Sequence, residues 1–204
     1  MRSVGVIRPV GWMVGAIAVG ATLLVATSDP AEAGRRRWKR VAQYGPPQAS
    51  LVVDAKTGRV LHANNPDAPR IPASITKVMT LYMLFEQLER GRLTLNSEMR
   101  VSARAAAQAP TKLGLQPGET ISVEDAIKGM VTKSANDASV VVAEAISGSE
   151  EAFAEAMTAK ARAIGMSHST FHNAHGLPHD PPNITTARDL VTLGRVIQER
   201  FPKY

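Results

Sequence analysis

From Ser74 to Arg90 the chain reads as one helix with almost no polar face: Val78, Met79, Leu81, Tyr82, Leu84, Phe85 and Leu88 lie all round its circumference. A helix that is apolar on every side runs through the middle of a core rather than over it. Whatever this chain folds into is therefore built around that segment. Pro72 precedes it, and Gly91 is a good C-terminal stop.

The remaining elements are read around this helix. Leu51, Val52 and Val53 lead into Lys56-Thr57-Gly58, and a second extended run follows from Arg59 to Ala63. An apolar run, a glycine turn and another run predict a β-hairpin over Ser50–Ala63. Pro110 to Gly118 reads as loop. Ser122 with Asp125 three residues on forms a capping box for a helix to about Thr132, and Lys133–Asn136 breaks the pattern. Helices are expected over Ala138–Ile146 and Glu150–Ile164, stopped by Gly148 and Gly165. His168–Asn183 reads as loop or short strand, and Thr186 with Asp189 caps a last helix to about Glu199. Two strands alone do not make an independently stable sheet. Further strands are therefore expected to close the fold, and the chain is expected to be C-terminally incomplete.

The N-terminus has a different character. Arg2 and Arg8 precede a 17-residue apolar run, Val10–Ala26, followed by Ala31-Glu32-Ala33. A basic start, an apolar middle and a small-x-small site predict a secretory signal peptide over residues 1–33, cleaved after Ala33. An uncleaved anchor is the alternative, but Gly11, Gly15 and Gly20 make the run marginal for spanning. Residues 34–49 read as a linker, basic at Arg35, Arg36, Arg37, Lys39 and Arg40 and stiffened by Pro46 and Pro47. That cluster is either solvated or in contact with anionic lipid or wall polymer. The folded part is expected to begin near Ser50 and to work outside the cytoplasm, in the periplasm or cell envelope.

Composition narrows the function. The net charge is +6, but all except one unit of it comes from the first 43 residues, so the folded part carries no nucleic-acid signature. Aromatic residues are only 4%, which argues against base-stacking or sugar-stacking surfaces. The absence of cysteine excludes a disulfide scaffold, a thiol nucleophile and a thiolate metal site.

The chemistry concentrates in Pro72-Ala73-Ser74-Ile75-Thr76-Lys77. Ser74 stands where the helix begins, and Lys77, three residues on, shares its face. A serine hydroxyl is a weak nucleophile until a base takes its proton, and a lysine becomes that base when burial lowers its pKa. The helix N-terminus favours negative charge developing at Ser74. A second element, Ser134-Ala135-Asn136, falls in the break between two helices, where a hydroxyl and a carboxamide can serve as proton relay and amide clamp.

Together these elements resemble the S-x-x-K and S-x-N of penicillin-binding proteins and serine β-lactamases. Asp54–Leu61, Pro72–Thr80, Asn136-Asp137-Ala138 and His172-Asn173-Ala174-His175-Gly176-Leu177-Pro178 narrow the resemblance to the D-alanyl-D-alanine carboxypeptidases, the S11 serine peptidases, from about Ser50 onward. The resemblance implies an α+β fold of the β-lactamase/transpeptidase-like type, a helical subdomain with an antiparallel sheet, whose later strands are missing from this chain. It implies Ser74 as nucleophile, Lys77 as base, Ser134 as proton relay and Asn136 as substrate-binding residue. No cofactor is implied. The partners it implies are a peptidoglycan stem peptide and, as covalent inhibitors, β-lactams.

One departure stands out. The family's third element, K-T-G on a strand, should follow S-x-N, and none follows Asn136. Lys56-Thr57-Gly58 precedes Ser74 and reads as hairpin turn. This stretch alone is therefore expected to be inactive, and a wall-binding or scaffold relative without the third element is the non-enzymatic alternative. A class A β-lactamase needs a glutamate after S-x-N to activate water, yet no glutamate occurs between Glu155 and Glu199. His168, His172, His175 and His179 could suggest zinc, but Asn173, Gly176 and Pro178 keep them off one helical face, so no metal site is expected.

Overall fold

The computed structural model describes residues 48–204. The hairpin is present as β1 (Ser50–Val53) and β2 (Val60–Asn64), antiparallel, with a register shift between Val52 and Val53. Its turn is held by the Asp54 carboxylate, which accepts from Thr57 N–H and Thr57 Oγ1 at 2.7 Å each. Gly58 closes it at φ +73°. Lys56-Thr57-Gly58 is thus turn structure.

The apolar segment forms a short 3-10 turn, Ala73–Ile75, running into α1, Thr76–Glu89. Met79, Tyr82 and Leu84 are almost fully buried, and so are the polar Thr76, Lys77, Thr80 and Glu86. The all-round apolar pattern therefore places α1 at the centre, as expected. The difference lies at its start, where Ser74 belongs to the tighter 3-10 turn rather than to the α-helix.

Two short strands, β3 (Glu98–Arg100) and β4 (Thr120–Ser122), pair into a second antiparallel ribbon that the sequence reading missed. Each buries one apolar side chain, Met99 or Ile121, and three residues are too few to display a period of two. Between them sits α2, Ala103–Ala106, capped by Ser102. The Ser122 cap opens α3, Val123–Lys133. Then come α4, Asn136–Ser147, α5, Glu150–Ala163, and α6, Ala187–Arg200. The fourth helix begins two residues earlier than its apolar pattern, which places Asn136 in its first turn.

The packing centres on α4, which touches α1, α2, α3, α5 and β3. Helix α6 packs on β1 and α1. It is tied down by Arg188, whose guanidinium donates to the Asp67 carboxylate at 2.6 and 2.9 Å, and by an isolated bridge between Arg70 and Thr185. At its far end Arg200 and Lys160 converge on the buried Glu86 carboxylate, joining α6, α5 and α1. Burial raises the Glu86 pKa, but hydrogen bonds from Lys160 and Arg200 outweigh it and hold the carboxyl below its ordinary range. Phe201 then closes edge-on against Tyr82, 5.2 Å between ring centres.

The export signal and nearly all of the basic linker, with Arg35, Arg36, Arg37, Lys39 and Arg40, lie outside the described residues. Among the described residues no helix is long and apolar enough to cross a membrane.

Candidate active site

Ser74 and Lys77 meet as their spacing requires: Lys77 Nζ lies 3.3 Å from Ser74 Oγ. The lysine is 3% exposed. It also donates to the backbone carbonyl of His175 at 2.8 Å. Burial lowers its pKa from 10.5 to about 8. At pH 7.4 that leaves about a fifth of the amine neutral, against roughly one part in a thousand for an ordinary lysine. A neutral amine has two hydrogens and a lone pair. One hydrogen is held by the His175 carbonyl, so the lone pair is available to accept the Ser74 proton.

The backbone before Ser74 is unusual. Ala73 stands at φ +46°, a left-handed conformation that costs an L-residue about 1–2 kcal/mol. Among the described residues three non-glycine residues have positive φ, and two of them, Ala73 and Ser134, flank or form the candidate site. Backbone strain of this kind persists only where the surroundings impose it.

Ser134 caps α3 at φ +56°. Its carbonyl accepts from Thr111 Oγ1 at 3.0 Å. Its own Oγ is buried without a hydrogen-bond partner, a state that costs about 1–3 kcal/mol. Asn136 is 2% exposed. Its Nδ2 donates to the Ala109 carbonyl at 2.9 Å, and its N–H donates to the Thr111 carbonyl at 2.8 Å. The structure thus pairs Ser74 with Lys77 directly. It sets Ser134 at the end of α3 and Asn136 in the first turn of α4, the helix that packs against α1, each hydrogen-bonded to the 109–111 loop.

Several supporting residues were missed from sequence. Asp137 is fully buried, and its carboxylate accepts from the N–H groups of Leu113, Gly114, Leu115 and Ala138. It pins the loop against the start of α4. Asn183 donates to Thr76 Oγ1 at 3.1 Å and accepts from His172 and Asn173 N–H. Asn173 in turn accepts from His175 and Gly176 N–H. A visible signal existed, since asparagine recurs in a segment otherwise short of periodicity, but nothing local said what these amides would grip.

The histidines do not converge. His175 is buried against Glu150, His172 and His179 stack on each other, and His168 Nδ1 lies 3.9 Å from Asp189. Among the described residues no group of three or more His, Asp or Glu side chains is arranged to hold a metal.

Comparison with known proteins decides the family. The model for D-alanyl-D-alanine carboxypeptidases, peptidase family S11, matches residues 45–204. The chain belongs to this family. It is 32% identical over 85% of its length to the D-alanyl-D-alanine carboxypeptidase DacF of Bacillus subtilis, and 33% identical over 76% to DacC of Escherichia coli. It spans 44% and 40% of the length of those two relatives. Among solved structures, the D-alanyl-D-alanine carboxypeptidase DacD of Francisella tularensis superimposes with a TM-score of 0.75 at 34% identity, covering 78% of this chain and 38% of that one. Penicillin binding protein 5 of Haemophilus influenzae gives 0.72 at 30%, covering 78% and 48%. The α+β, transpeptidase-like architecture expected from the sequence is therefore that of the S11 carboxypeptidases. Their serine-peptidase membership, read from Ser74-Ile75-Thr76-Lys77, is shared by this chain.

Proposed function

We propose that this chain supplies the nucleophile-bearing part of a D-alanyl-D-alanine carboxypeptidase acting on peptidoglycan stem peptides outside the cytoplasm. The observation that carries the proposal is the buried Lys77 amine, 3.3 Å from Ser74 Oγ and anchored on the far side by a carbonyl. Ser74 Oγ attacks the carbonyl between the two terminal D-alanines while its proton passes to neutral Lys77. The Oγ–C bond forms and the C–N bond breaks, with Ser134 passing the proton taken up by Lys77 to the departing D-alanine amine, so that both return to their starting protonation. Asn136 orients the peptide through its carboxamide. Water then attacks the acyl-enzyme, and the proton it loses restores Ser74.

A β-lactam amide is attacked in the same way, and ring opening leaves the acyl group on Ser74. In the family a third element, K-T-G on a strand, binds the substrate carboxylate, and none follows Asn136 among residues 137–204. The test uses the full-length gene product. A fluorescent penicillin should label it covalently, Ser74→Ala should abolish labelling, and D-alanine should be released from a stem-peptide substrate. Labelling without D-alanine release would favour a binding relative, and labelling that survives Ser74→Ala would refute the nucleophile assignment.

A further inference from the structure

The peptide units of Ala174 and His175 are gripped from both sides. On the α1 side, Thr80 Oγ1 donates to the Ala174 carbonyl at 2.7 Å, and Lys77 Nζ donates to the His175 carbonyl at 2.8 Å. On the other side stands Glu150, 2% exposed, in the first turn of α5. Its Oε1 accepts from Ala174 N–H at 3.0 Å and lies 3.2 Å from His175 Nε2. Leu177 N–H donates to His175 Nδ1 at 3.0 Å, so the neutral ring carries its proton on Nε2 and gives it to Glu150. The other carboxylate oxygen pairs with Arg104 from α2 at 2.8 Å.

We propose that Glu150 is a positioning residue: its carboxylate holds the Ala174–His175 backbone against α1 and thereby fixes the carbonyl that anchors Lys77 Nζ. The proposal rests on the reading of Lys77 as the base for Ser74. Glu150 is built to be ionised in this place. Burial raises its pKa, but hydrogen bonds from His175 and from Ala174 N–H, with the charge of Arg104, outweigh that and keep it below the ordinary carboxylate range. Its position at a helix N-terminus adds to the same effect. The charged groups facing this cluster are Arg104 from α2, Glu151 beyond it on the other Arg104 nitrogen at 2.5 Å, and Lys77 across the peptide from α1.

Without the carboxylate, the 174–175 segment loses one side of its grip, water reaches Lys77, and the amine returns toward an ordinary lysine. The experiment is the pH dependence of penicillin acylation in the full-length gene product. Glu150→Ala should lower the rate at pH 7 about tenfold and shift the rising limb to higher pH. Glu150→Met, which fills the space without an acceptor, should do the same and serves if the alanine variant melts without cooperativity. Glu150→Gln keeps an acceptor for Ala174 N–H and His175 Nε2–H and should keep the wild-type limb. Arg104→Ala should lower the melting temperature and leave the limb in place. An unmoved limb in both Glu150→Ala and Glu150→Met would overturn the positioning role, as would an equal shift in Arg104→Ala. A wild-type protein that penicillin never acylates would sink the serine-acylation reading itself, and this proposal with it.

Discussion

Gly176 lies flat against the backbone of Ala73: a Cβ placed on it would stand 1.8 Å from the Ala73 carbonyl oxygen. That oxygen belongs to the residue before Ser74, and Gly176 itself is at φ +87°. The clash involves main chain on both sides, so no rotamer change relieves it. Gly176→Ala should therefore push the 173–177 segment off the 3-10 turn. We expect a loss of several kcal/mol, at the exceptional end for a single substitution, and little penicillin labelling of whatever remains folded. Denaturant melts and labelling measured together check this. A variant with wild-type stability would show that the close approach is not maintained in solution.

The acylation rate should follow the neutral fraction of Lys77. Its pKa lies at about 8, so the rate should rise as pH climbs from 6 to 8 and level off above. Lys77→Ala should lower acylation nearly as far as Ser74→Ala, because nucleophile and base act as a unit. General-base help alone is worth about 10²–10⁴-fold. Stopped-flow acylation across pH decides both points, and a flat profile would remove Lys77 from the role of base.

Burying that lysine costs stability. Unfolded, Lys77 binds its proton up to about pH 10.5, and folded it lets go at about 8. Between these values the unfolded chain holds more protons, so folding stability should rise with pH across that window. Below pH 8 the penalty is on the order of 3 kcal/mol. Lys77→Met, of similar length and without charge, should recover part of it at pH 7 and flatten the rise. Urea melts at pH 7 and 9.5 provide the measurement.

The Glu86 junction contributes stability where the buried Lys77 charge costs it, although both groups make stability rise with pH, each in its own window. Its carboxylate is held below the ordinary range by Lys160 and Arg200 against the pull of burial, so its contribution is present above pH 4.5 and is lost as pH falls through the lowered value. Glu86→Ala should cost about 3 kcal/mol, the lower end for breaking a buried ion pair, because Lys160 and Arg200 keep 23% and 33% of their side-chain surface in water. The variant should also lose part of the wild-type protein's sensitivity to acid, read from melting temperatures between pH 3 and 7.

The core and the contact between Ser74 and Lys77 were legible because both are written in local spacing. An all-round apolar run places α1 in the interior, and a three-residue interval joins Ser74 to Lys77 on one face. Caps at Ser122 and Thr186 were equally readable, since each needs only its own next turn. What stayed hidden depends on distant partners. Strands β3 and β4 are too short to announce themselves. Glu150 and His175 are 25 positions apart and become a pair only when α5 packs on α1. The Ala73 contact with Gly176 spans a still longer interval, and no propensity near Ala73 foretells a left-handed residue there.

The packing of α6 on β1 bears on the order in which the protein assembles. Strand β1 is among the first described residues to be synthesised, and α6 is the last of the described helices. The hairpin therefore waits, with Val52, Val60 and Leu61 half-exposed even with α6 packed beside it, until residues 187–200 arrive. Long-range closure of this sort slows folding and leaves strand edges open to wrong partners meanwhile. The hairpin is thus a stretch of the nascent chain that stays open to such partners until α6 has been made.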